Sequence, residues 1–100
     1  MRIEEKIEKY LMKENEKAKN PEFSDKKFGK LLDPGDEIKI TDLNTNKSTK
    51  ATVGKFDGLE YKLKGKSDME NLGHSGFEII DDNTFYILTN KERQLKIEKL

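Results

Sequence analysis

The segment Gly73-His74-Ser75-Gly76 is the part of the chain that most resembles a catalytic motif. The nucleophile turn of a hydrolase requires Gly-x-Ser-x-Gly, and the position of the last glycine is occupied here by Phe77. His74 is the only histidine, so the sequence provides neither a second catalytic imidazole nor a multi-histidine metal site. We therefore expect an exposed turn in which Gly73 ends a helix, and we do not expect an enzyme.

Two acidic loops offer oxygen ligands for a cation. Residues 42–46 imitate the start of an EF-hand loop, but Lys47 replaces the required glycine and Val53 the required glutamate. Residues 81–83 supply three short ligands, too few for a dedicated calcium site. The chain has no cysteine, which excludes thiolate metal sites and disulfides. We expect no metal and no other cofactor.

The charged residues are arranged in blocks along the chain. Lys plus Arg and Asp plus Glu both number 20, yet residues 47–66 carry a net charge of +4 and residues 67–88 a net charge of −5. Such blocks can be solvated faces that help two hairpins associate, or they can orient a charged partner. The second interpretation gives these candidate partner-binding residues: Lys50, Lys55, Lys62, Lys64, Lys66, Asp68, Glu70, Asp81 and Asp82.

The composition predicts one small folded domain over residues 1–100. Leu, Ile, Val and Phe account for 24 residues, above the roughly 20% below which a core is implausible. One hundred residues leave too little core for a second domain. The charged start lacks the apolar region of a secretory signal, and no apolar run approaches the ~18 residues of a membrane span. A soluble, cytoplasmic protein without membrane association is the expectation.

The first third of the chain is predicted to be helical. A helix over about residues 2–19 is indicated by a narrow apolar stripe that Pro21 terminates. The stripe consists of Ile3, Ile7, Tyr10, Leu11 and Ala18. Because such a helix is marginal alone in water, it must dock on the protein's own sheet, on a partner, or on a second copy in a homodimer. A second helix over residues 24–32 is predicted to begin at Ser24 as N-cap.

From Asp33 onward the apolar period changes from 3.6 to 2. Residues 33–36, Asp-Pro-Gly-Asp, are typical of a type II turn. Strands are predicted at residues 37–43, 48–56, 59–64, 77–80, 84–89 and 94–100. For the last of these a helix capped by Asn90 is the alternative.

Asp57-Gly58 is the strongest turn signal in the chain and predicts a two-residue type I′ hairpin. Pairing about this turn would place Phe56 opposite Leu59 and the ring of Tyr61 over Gly54. We therefore expect these apolar side chains to share one buried face of the hairpin.

The predicted fold is α+β. A helical segment over residues 1–32 precedes a β unit over residues 33–100. In the β unit, five or six antiparallel strands form a bent sheet or a small SH3-like or OB-like barrel. A capping box, Ser67 to Glu70, inserts a short helical turn at residues 68–72. The β unit begins with a segment similar to the start of many SH3-like barrels, residues 32–40.

Two functions of different classes fit these features. The favoured one is a small non-enzymatic regulator or inhibitor that docks on a larger protein through its charge-segregated surface. The alternative is a small barrel that binds nucleic acid through the Lys-rich residues 47–66, with Tyr61 or Phe56 as a stacking platform. Zero net charge and the presence of only two arginines weigh against nucleic acid.

Overall fold

The fold comes from a computed structural model that describes residues 17–65 and 69–100. Within these ranges the chain forms one short helix and one seven-stranded antiparallel sheet, ordered β4-β3-β2-β1-β7-β6-β5. The elements are α1 (Asp25–Phe28), β1 (Glu37–Asp42), β2 (Lys47–Phe56), β3 (Tyr61–Lys64), β4 (Asn71–Leu72), β5 (Phe77–Asp81), β6 (Thr84–Thr89) and β7 (Glu92–Lys99).

The sheet curls into a half-barrel around the side chain of Phe28. Tyr61 on β3 and Phe77 on β5 are five strand positions apart, about 24 Å in a flat sheet at ~4.8 Å per strand. Their rings nevertheless both contact Phe28, with centroids 5.3 Å and 5.5 Å from its own. Phe28 therefore fills the opening between the two ends of the sheet.

Alternation along the strands places the core on the concave side of the half-barrel. Ile38 and Ile40 of β1 are buried, as predicted, while Lys39 between them points outward. The same alternation on the other strands buries Ala51, Val53, Tyr61, Leu72, Phe77, Phe85, Ile87 and Ile97. The antiparallel bent sheet is thus confirmed, with seven strands instead of five or six.

The carboxy-terminal segment is strand β7, so the alternative of a helix there is wrong. β7 pairs with β1 on one side and with β6 on the other, which satisfies its backbone and buries Ile97. It is joined to β6 by Asn90 and Lys91, which both have positive φ, 52° and 65°. That is the geometry of a type I′ hairpin turn.

The predicted helical amino-terminal segment is not supported. Residues 1–16 lie outside the described residues, and residues 17–19, the end of the predicted first helix, are not helical. Lys17 forms an antiparallel bridge with Glu92, and the Ala18 N–H donates to the Lys91 carbonyl at 2.9 Å. This segment satisfies its backbone on the β6–β7 turn, which competes with helix formation.

The second predicted helix begins where expected but is only four residues long. The Ser24 hydroxyl accepts a hydrogen bond from the Lys27 N–H, so the N-cap is confirmed. The helix stops at Phe28 because the Tyr61 hydroxyl donates to the Phe28 carbonyl and accepts from the Leu32 N–H. In a longer helix these two backbone groups would bond to each other. Packing of Tyr61 therefore overrides the helical pattern of residues 29–32.

The predicted two-residue turn at Asp57-Gly58 is wrong, because Phe56 pairs with Tyr61 across a four-residue loop. The Asp57 carboxylate accepts from the N–H groups of Leu59 and Glu60, at 2.9 and 2.8 Å, which stabilises the longer loop and lowers the pKa of Asp57. Leu59 is consequently exposed and does not share the buried face.

A bulge on β2 accompanies this longer loop. The register shifts between Val53 and Phe56, so Lys62, not Tyr61, lies against Gly54. A Cβ atom at Gly54 would stand 3.0 Å from the Lys62 carbonyl oxygen, so the backbone of β3 would have to shift by a few tenths of an ångström to admit a side chain. The glycine thus permits the bulge instead of being covered by an aromatic ring.

The helical turn predicted at residues 68–72 is wrong for the part of this range that the structure describes, residues 69–72. Asn71 and Leu72 form β4, which pairs with β3, and residues 67–68 lie outside the described residues. The Leu63 N–H donates to the Glu70 carbonyl at 2.8 Å, and Leu72 is buried in the core. Satisfying the edge of β3 and burying Leu72 therefore outweigh the local capping pattern.

Substitution Tyr61→Phe tests the bridge that ends α1. We expect the free energy of unfolding to fall by about 1–3 kcal/mol, because the buried Leu32 N–H loses its partner, while the Phe28 carbonyl keeps only its bond from the Leu31 N–H. Urea unfolding of the variant beside Tyr86→Phe, which removes a hydroxyl on the outer side of β6, is the measurement. If both variants lose equally little stability, the bridge does not hold the turn after α1.

Candidate functional site

The outer, convex side of β1, β2 and β3 carries a group of outward-pointing lysines. Lys39 on β1 lies directly opposite Lys50 on β2, and Lys64 on β3 lies directly opposite Thr52, two residues along from Lys50. The residues beside them in each strand point into the core, which directs these side chains outward. We call Lys39, Lys50 and Lys64 the lysine face.

Within residues 17–65 and 69–100, the cations of the lysine face form no close ion pair, although Glu98 on β7 lies directly opposite Lys39 in the sheet. No carboxylate oxygen in these ranges lies within 4.0 Å of any of the three ammonium groups. Lys62 differs, because its ammonium group lies 3.9 Å from Asp57 and 3.7 Å from Glu60. Like charges directly opposite each other in a sheet are destabilising, so the Lys39–Lys50 pair is a cost, which Glu98 on the other side of Lys39 offsets in part.

A shallow pocket of about 140 Å³ opens between Lys50 and Lys64. It is lined by Glu37, Lys50, Ala51, Thr52, Lys64, Gly65 and Leu100. Two ammonium groups, one hydroxyl and one carboxylate therefore face the same small volume.

The structure brings together some of the predicted partner-binding residues and separates others. Lys50 and Lys64 share the pocket, Lys62 follows the same outward face of β3, and Lys55 is exposed at the bulge of β2. Lys66 and Asp68 lie outside the described residues. Glu70 is exposed just before β4 at the edge of the sheet. Their role in binding a partner stays a prediction.

The acidic turn formed by Asp81 and Asp82 is exposed but distant from the lysine face. Asp81 is in the same cross-strand row as Lys50, four strand positions away, or about 19 Å at ~4.8 Å per strand in a flat sheet. The two charged blocks therefore do not form one continuous patch. Lys39, which lies in an otherwise acidic part of the sequence, instead completes the basic group through the β1–β2 register.

Glu78, counted in the acidic block of the sequence, is buried with only 2% of its surface exposed. Its carboxylate accepts from the Lys19 N–H at 2.7 Å, the Asn20 N–H at 3.0 Å and the Arg93 guanidinium at 2.7 Å. Burial alone would raise the pKa of Glu78, but the bonds from Asn20, Arg93 and Lys19 together lower it. Glu78 thus anchors the amino-terminal segment to the outer side of the sheet.

His74 is buried, so the prediction that it lies on an exposed turn is wrong. Its side chain is 4% exposed and its Nε2 lies 2.8 Å from the Asp25 carboxylate. The ring packs on Phe28, with centroids 4.2 Å apart, and edge-on against Phe77. Among the described residues its Nδ1 has no hydrogen-bonding partner. These contacts give His74 a packing role that links α1 to the segment before β5.

The described residues offer neither a side-chain cluster for a metal ion nor a helix that could span a membrane. In the described part of the chain, no cluster of three or more potential side-chain ligands is placed to hold a metal ion. The one helix found there, α1, is far too short to cross a membrane.

Comparison with other proteins gives no family for this chain. No protein-family model matches the sequence, and neither a curated protein nor a solved structure matches it. The function is therefore argued from the geometry of the lysine face.

Substitution Lys50→Glu should stabilise the protein by about 0.2–1 kcal/mol, because the new carboxylate lies directly opposite Lys39, whereas Glu37 is only its more distant diagonal neighbour. Lys47→Glu on the same strand should do the reverse, because it places a carboxylate opposite Asp42. Chemical unfolding at low salt measures both effects, and added salt should shrink them. Loss of stability in Lys50→Glu would show that the two lysines do not repel each other.

Substitution Glu78→Gln should lower the free energy of unfolding at pH 7 by about 2–3 kcal/mol, because Arg93 loses its charged partner. Since folding lowers the pKa of Glu78, its contribution is present above the unfolded value of ~4.3 and is lost as pH falls through the folded value. Urea unfolding from pH 7 to pH 3 should therefore give a flatter profile for the variant. Glu70→Gln, at an exposed position, is the control that should follow the wild type.

Proposed function

We propose that this protein is a non-enzymatic binding module that docks on an acidic surface of a larger protein through the lysine face, and so regulates or inhibits that protein. The observation that carries the proposal is the Lys39–Lys50 pair with Lys64 beside it, with no carboxylate of the described residues within 4.0 Å of their ammonium groups. An arrangement that costs stability in the free protein is explained when a partner supplies the missing negative charge.

A protein partner is favoured over nucleic acid by the position of the aromatic residues. Tyr61 is completely buried and Phe56 packs against the core, so neither offers a ring on the lysine face for a base to stack on. Arg93, which could recognise a phosphate in bidentate fashion, is engaged with Glu78. Binding of nucleic acid stays the alternative, based on the lysines alone.

The lysine face is expected to contribute orientation and association rate more than affinity. Exposed ion pairs are worth about 0.2–1 kcal/mol each and weaken with salt. The complex should therefore form faster at low ionic strength, while apolar contacts around the lysines supply part of the remaining free energy.

Cross-linking in the cells that express this chain tests the proposal. The wild type and the control Lys26→Glu/Lys30→Glu, altered at two exposed positions in and after α1, should capture the same acidic protein. Lys50→Glu/Lys64→Glu should lose it by at least several fold, since two attractions become repulsions. Nuclease treatment should leave capture by the wild type unchanged.

Two outcomes would contradict the proposal. Equal capture by the Lys50→Glu/Lys64→Glu variant would show that the lysine face is not the docking surface. Loss of capture by the wild type after nuclease treatment would favour the nucleic-acid alternative.

A further inference from the structure

The pocket between Lys50 and Lys64 owes its shape to Gly65. This glycine has φ +133° and directly follows β3. A Cβ atom built there would stand 3.6 Å from both the Ala51 Cα atom and the Lys50 carbonyl oxygen, so a side chain would cover the backbone of β2. With glycine at this position, the outer side of β2 remains accessible between the two lysine side chains.

The polar groups around the pocket are suited to a small anion with a single charge. The side chains of Lys50 and Lys64 bring two positive charges and that of Glu37 brings one negative charge, which leaves a net side-chain charge of +1. Thr52 points outward between them, and its hydroxyl makes no hydrogen bond to the residues that the structure describes, so it is free to donate.

We infer that this pocket binds one carboxylate side chain, aspartate or glutamate, of the acidic segment on which the protein docks. The inference rests on the proposed function and names the partner group that meets Lys50 and Lys64. A carboxylate ends its side chain and can enter a pocket of about 140 Å³ alone. A phosphodiester is instead flanked by a sugar on each side and cannot enter as the free end of a side chain.

Substitution of Glu37 should change the affinity for an anionic peptide in the opposite direction to substitution of Lys50 or Lys64. Fluorescence anisotropy at low salt would follow a labelled peptide of six glutamates, with a peptide of six glutamines as the control probe. Lys50→Gln and Lys64→Gln should each weaken binding of hexaglutamate about two- to five-fold. Glu37→Gln should strengthen it by a similar factor, and Lys26→Gln on α1 should leave it unchanged.

The location of the bound peptide is checked by amide chemical shifts. On titration with hexaglutamate, the amide signals of Thr52 and Gly65 should move more than those of Asp81 and Asp82 in the distant acidic turn. Thr52→Val, which keeps the shape and charge of the pocket, should weaken binding without changing thermal stability by more than a few degrees. This variant keeps the test decisive if a lysine substitution impairs folding.

Three outcomes would contradict the proposal that the pocket binds a carboxylate. If Glu37→Gln fails to strengthen binding while the lysine variants weaken it, the lysine face binds anions but the pocket does not. If a six-residue phosphoserine peptide or hexathymidylate binds at Thr52 and Gly65 more tightly than hexaglutamate, the pocket selects phosphate. If hexaglutamate does not bind the wild type, the pocket is wrong, whereas the proposed docking function is still decided by cross-linking.

Discussion

The contact of Phe28 with both ends of the sheet is the constraint on which the rest of the structure depends. A seven-stranded sheet built from short strands could splay open, but the ring of Phe28 lies against Tyr61 from one end and Phe77 from the other. The buried His74 ring packs on Phe28 as well, and its contact with Asp25 ties α1 to the segment before β5. The curvature that results sets the shape of the convex side, where the lysine face lies.

The two halves of this sheet differ in the burial and the pairing of their charged side chains. At the β5–β6–β7 end, Glu78 and Arg93 are partly or fully removed from water and are satisfied by hydrogen bonds. At the β1–β2–β3 end, Lys39 and Lys50 face each other, and no carboxylate of the described residues lies within 4.0 Å of their ammonium groups. The first arrangement is explained by contacts within the chain itself. For the second, we propose the carboxylates of a partner as the explanation.

Local sequence patterns predicted the strands well and the connections less well. The predicted burial of Ile38 and Ile40 is confirmed, because alternation along a half-buried strand is enough to show which side chains point into the core. The turn at Asp57-Gly58 did not, because the Asp57 carboxylate holds a longer loop and a bulge absorbs the change of register. The helix after Ser24 was predicted too long, since the hydroxyl that interrupts it comes from Tyr61, 33 residues away from Phe28 in the sequence.

The sequence by itself determined the antiparallel strands, the type II turn at residues 33–36 and a basic group around Lys50 and Lys64, because these follow from neighbours a few residues apart. Only the tertiary structure places Lys39 beside that basic group and buries the side chains of Glu78 and His74. Strand register and curvature bring together residues far apart in the chain, and neither is encoded in a local period. The candidate site consequently depends on pairing between strands, and only two of its three lysines, Lys50 and Lys64, lie in the basic block of the sequence.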